Sequence, residues 1–101
     1  MRYNIELLPK AEIEYQKAYR WYEEQLIGLG DRFETSVERK LKSISNNPLF
    51  YPNKIGKLRE CKVDDFPFLI IFRVYSEKNL IFVYSIFHTS RRPGKKYKSS
   101  L

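Results

Sequence analysis

At 101 residues and 12.2 kDa, 43% hydrophobic and 16% aromatic, the chain has the composition of one packed domain and not of a disordered segment. A net charge of +7 and a pI of about 9.6 point to anionic partners: nucleic acid, an acidic protein or, less directly, a membrane surface. One cysteine, Cys61, excludes an internal disulfide and a cysteine metal cluster, so it reads as a small buried hydrophobe.

The stretch "RYNIELL" alternates Tyr3, Ile5 and Leu7 with Asn4 and Glu6, the period of a half-buried strand rather than of a secretory signal. Pro9 follows where the first turn of a helix tolerates a missing N–H. Over 10–26, Ala11, Tyr15, Ala18, Tyr22 and Leu26 recur at three- and four-residue spacing and predict one apolar helical face, flanked by Tyr19. Ile13 falls on the far side and Trp21 on the shoulder, both candidates for exposure. Glu12, Glu14, Glu23 and Glu24 read as a solvated face. "IGLGD" breaks this helix, and Asp31 with Glu34 has the spacing of a capping box for a second one. Phe33, Val37, Leu41 and Ile44 form its stripe, and "SNNP" stops it.

"LFYPNKIGK" reads as an irregular loop. Three strands are predicted beyond it, over 58–63, 68–75 and 80–87, with "DDFP" and "SEKN" as turns in which Asp64 and Asp65 are turn residues. The middle strand, "FLIIFRVY", is apolar on both faces and should be central. The expected fold is α+β: an N-terminal strand, an antiparallel helical hairpin, then a three-stranded antiparallel meander in one sheet, with the hairpin across one face. It would form one domain over 1–101, with a short basic tail from about 92. Its apolar runs fall short of the ~20 residues of a membrane helix, so a cytoplasmic protein with no membrane partner is expected.

No Gly-rich phosphate loop, zinc pattern or serine triad is present, and no metal or cofactor is expected. The chemistry-bearing residues that remain are basic and aromatic, and they gather in "SIFHTSRRPGKKY" at 85–97. Phosphodiester cleavage needs proton transfer at two oxygens and cations for the charge of the transition state. His88 suits a proton role, Arg91 and Arg92 suit phosphate, and Tyr97 suits stacking or proton donation. Arg73, interrupting an apolar strand, and Arg59 on the preceding one point out of the same sheet. The competing reading makes His88 a strand terminus and Lys95 and Lys96 a solvated tail.

"NPLFYPNKIGKLRE", then "FPFLIIFRVY", then "IFVYSIFHTSRRP" resembles the C-terminal half of the RelE/ParE superfamily of toxins from bacterial toxin–antitoxin operons, and the strand and helical hairpin resemble the N-terminal half. The ordered set Asn47-Pro48, Pro52, Arg59, Phe66-Pro67, the apolar strand, His88 and Arg91 carries the likeness. It implies a type II toxin neutralised by a cognate antitoxin, an acidic segment lying along the hairpin and an open sheet edge, with Ile13, Trp21 and Tyr22 as its seat. The ParE-like branch poisons DNA gyrase without bond-breaking residues of its own; the RelE-like branch cuts messenger RNA on the ribosome. "FP" before the strand and "HTSRRP" after it are closer to ParE-type members. Where RelE-type nucleases carry an arginine early in the strand after the turn, this chain has Leu69. The resemblance therefore implies a gyrase inhibitor, with Arg59, Arg73, His88, Arg91, Arg92, Lys95, Lys96 and Tyr97 as its target-binding set. The alternative is a ribosome-dependent mRNA endonuclease using His88, Arg91, Arg73 and Tyr97. A non-toxic nucleic-acid-binding module needs only the charge.

Overall fold

The computed structural model describes residues 2–90. Strand β1 (Asn4–Leu7) leads into helix α1 (Pro9–Gln25) and helix α2 (Leu29–Asn46), and a 3-10 turn at Pro48–Phe50 leads to the remaining strands. These are β2 (Asn53–Ile55), β3 (Leu58–Lys62), β4 (Phe68–Tyr75) and β5 (Leu80–His88). They form a five-stranded sheet in the order β1-β5-β4-β3-β2, antiparallel except where β1 pairs parallel with β5. The segment expected to be an irregular loop thus contains β2, a three-residue edge strand that pairs with β3 through a turn at Gly56, whose φ of 55° suits glycine.

The hairpin covers one sheet face. Ala11 and Tyr15 of α1, and Phe33, Val37, Leu41 and Ile44 of α2, are buried against Cys61, Ile70, Phe72, Ile81, Val83 and Ile86. Phe72 and Val83 face each other in register on the two central strands, both fully buried. Phe33 anchors the other end of this core, with ring centroids 5.2 Å from Tyr22, 5.3 Å from Phe66 and 5.0 Å from Phe68. Asp65 turns the chain toward β4 at a positive φ of 67°, a conformation in which aspartate is among the tolerated residues.

Leu26 does not continue the α1 stripe. The helix ends at Gln25, Leu26 is extended with φ −160°, and its side chain is exposed. Nor does Asp31 cap α2. That helix starts two residues earlier, after Gly28 in the left-handed region, and its first N–H groups are met from α1: the Glu23 carboxylate accepts from Gly28 N and Gly30 N, both at 2.9 Å. Asp31 instead accepts the Tyr19 hydroxyl at 2.6 Å. Glu23, expected in solvent, is the cap.

Candidate functional site

The last strand changes phase before it reaches its end. Phe72 opposes Val83 but Ile71 opposes Ser85, so Tyr84 is the extra residue of a β-bulge. Strict alternation from Ile81 and Val83 would carry Ser85 and Phe87 to the helical side. With the bulge, Ile86 joins the helix-facing core, while Phe87 packs with Leu58 and Ile71 on the other face. His88 consequently turns toward α1, its ring edge-on to Phe68 at 5.0 Å.

There it completes a groove of about 430 Å³ between α1 and the end of the sheet, lined by Ile13, Glu14, Lys17, Ala18, Trp21 and Tyr22 from the helix. Phe68, Ile86 and His88 line the sheet side. Ile13 and Trp21 are 55% and 56% exposed, so the groove carries apolar surface beyond an ordinary helix flank. Tyr22 is half-buried between Trp21 and Phe66, at 5.2 and 4.9 Å, and burial pushes its phenol above the ordinary value. His88 Nδ1 accepts the Ser90 N–H at 3.1 Å and meets the Ser90 hydroxyl at 2.6 Å. The structure therefore brings together Ile13, Trp21, Tyr22 and His88.

A polar cluster at one end of this groove is not legible in the residue pattern. Glu14 was expected in solvent, yet its side chain is 14% exposed. Its Oε1 accepts from the Ser85 hydroxyl at 2.8 Å and from Ile86 N–H at 3.0 Å; its Oε2 pairs with Lys10 Nζ at 3.0 Å. Lys10 also donates to Ser85 Oγ at 3.1 Å. One signal was available: Glu14 lies three residues after Ala11 and four before Ala18, on the stripe and not opposite it.

The two arginines do not share a face. Arg59 opposes Phe72 and Arg73 opposes Leu58, so they leave the sheet on opposite sides. Arg59 donates to the Tyr51 carbonyl. Arg73 lies over the Tyr75 ring, 4.8 Å from its centroid, and its buried Nε takes no hydrogen-bond partner among the described residues. Tyr75 and Tyr84 share a 2.8 Å hydroxyl–hydroxyl bond beside it; burial and then this bond push the Tyr84 phenol up. Leu69 opposes Phe87 on that same helix-free face. Arg91, Arg92, Lys95, Lys96 and Tyr97 lie outside the described residues.

The family model for the ParE toxin of type II toxin–antitoxin systems matches residues 5–93. The chain belongs to the ParE toxin family. A ParDE toxin–antitoxin structure from P. aeruginosa is similar with a TM-score of 0.75 at 15% identity, covering 88% of this chain and 98% of that one. A free-state mutant of the E. coli RelE toxin gives 0.69 at 18% identity, covering 98% and 93%. The intact E. coli RelBE complex gives 0.68 at 18%, covering 88% and 99%. At these identities the structural likeness establishes the shared fold of this ParE family member. No curated protein matches the sequence significantly. No helix among the described residues is long and apolar enough to cross a membrane.

Proposed function

We propose that this ParE family toxin acts on DNA gyrase by binding, without cutting nucleic acid, and that its cognate antitoxin holds it silent by occupying the groove between α1 and β5. The separation of the candidate catalytic groups carries the first part. Arg73 leaves the sheet on the helix-free face, whereas His88 turns to the helical side with its Nδ1 engaged by Ser90. Phosphoryl transfer requires an acid–base group and charge-stabilising cations around one phosphorus. Leu69 further supports the reading, since it occupies the strand position where the nuclease branch carries an arginine. The second part rests on the exposed apolar wall of Ile13 and Trp21, with Lys17, His88 and the Lys10-paired Glu14 as polar liners, which suits a segment both apolar and acidic.

The ribosome-dependent endonuclease remains the second reading, favoured by Arg73, whose Nε has no partner among the described residues, beside Tyr75 and Tyr84 on the helix-free face. One pair of assays separates them. Purified toxin incubated with gyrase and supercoiled DNA should trap cleaved complexes, whereas translating ribosomes given the toxin should keep intact message. Message cut at codon positions, with the cuts lost in Arg73→Ala, would overturn the gyrase reading.

A further inference from the structure

β1 covers only part of its neighbour. Its pairing runs from Asn4 opposite Leu80 to Leu7 opposite Val83, and among the described residues no strand lies beside the rest of β5 on that side. An open edge is a template for an added strand unless something blocks it. Here the Ile86 N–H meets the Glu14 carboxylate, a side-chain oxygen standing where the carbonyl of a sixth strand would stand.

We propose that Glu14 is a latch on this edge, released when an extended, acidic segment of the antitoxin joins β5 as a further strand. The inference rests on the groove being the antitoxin's seat. Its physical basis is replacement. Withdrawing Glu14 takes the acceptor from the Ile86 N–H and the Ser85 hydroxyl at the end of the groove, and leaves the partly exposed Lys10 without its ion-pair partner. A helix laid in the groove offers no backbone acceptor for Ile86, because its carbonyls are spent within it. An extended segment offers a carbonyl to Ile86 and, from a carboxylate side chain, a new partner for Lys10. The dimensions agree: residues 84–88 of β5 span about 15 Å at strand rise. Residues 13–22 of α1 run about 14 Å at helical rise. Room for about five extended residues follows.

The test uses isolated toxin and the toxin–antitoxin complex, read by hydrogen exchange at the Ile86 amide and by association kinetics. In free toxin, Glu14→Ala should speed Ile86 exchange about tenfold or more. In the complex the amide should be equally protected in wild type and variant, because the antitoxin backbone then holds it. Association should quicken severalfold in Glu14→Ala. It should also quicken in Glu14→Gln, which keeps an acceptor oxygen while releasing Lys10 and so serves if the alanine variant does not fold. Ile86 exchanging as fast in the Glu14→Ala complex as in the free variant would overturn the latch, as would unchanged or slower association of Glu14→Gln. Trp21→Ala separates the two levels. If it leaves antitoxin affinity intact, the groove itself is not the seat; if it weakens affinity while Glu14→Gln associates no faster, only the latch fails.

Discussion

Several tyrosine phenols depend on staying protonated. Burial and then the Glu38 carboxylate, accepting at 2.8 Å, push Tyr15 far above its ordinary value of 10. The hydrogen bond to Asp31 pushes the exposed Tyr19 up to about 12. A folded-state pKa above the unfolded one means the folded state holds its proton more tightly. The stabilisation is therefore complete below about pH 10 and is lost as pH rises toward the folded values. Thermal melts should give a midpoint that is level to about pH 10 and falls steadily by about pH 12. Tyr15→Phe should decline less over that window, and a wild-type midpoint unchanged across it would contradict the assignment. At this scale the sequence was only half informative. Tyr15 was readable as a core residue, but its partner Glu38 lies on the other helix, and no local pattern pairs the two.

The helical hairpin and the central strands each make a sharp prediction at the scale of the element. A Cβ added at Gly30 would stand 2.8 Å from both the Tyr19 carbonyl and Glu23 Oε1, so α1 and α2 approach closely there and the cap lies in the way. Gly30→Ala should cost about 1–3 kcal/mol in urea melts. A neutral result would mean that the two helices separate freely. Truncating Phe72, fully buried opposite Val83, should cost about 3–5 kcal/mol. A loss under about 1 kcal/mol would contradict its place in the core. The stripes that define α2 and the central strands were legible because burial on one face writes itself into spacing. β2 was not, since three exposed residues carry no alternation. The β5 bulge was not either. It shows only in space, beside a carboxylate from α1 that meets the Ile86 N–H, and a period-two reading puts His88 on the wrong face.

For the whole molecule, the charge of +7 and the proposed tail contacts predict a behaviour in cells. Expressing the chain alone should arrest bacterial growth, and co-expressing its antitoxin should restore it. Reversing the charge at Arg91 and Arg92 should relieve the arrest while leaving the soluble, folded yield unchanged, because attraction to an anionic target is then lost without disturbing the core. Arrest undiminished by that reversal, scored by colony counts, would remove the tail from the target-binding set. The fold class, the two helices, the three long strands of the meander and the family were accessible from the sequence, because an ordered series of weak motifs accumulates. The division of labour between faces was not. Whether Arg59 and Arg73 cooperate depends on strand parity across a turn, and they oppose residues of opposite faces.

The parallel pairing of β1 with β5 also governs timing. The first strand made finds its partner in the last, so its hydrogen bonds wait until almost all of the described chain has been synthesised. Contacts this distant in sequence slow folding, because the loop between them must close before they are rewarded. Until β5 arrives, the hairpin's apolar stripe faces an unfinished sheet, and neither the Phe72–Val83 contact nor the groove beside His88 exists. A chain cut short before residue 80 lacks both, and its expression should leave growth unaffected. On the proposed function, the working surface is complete only once translation is nearly finished, which leaves an interval in which an antitoxin already present can be waiting.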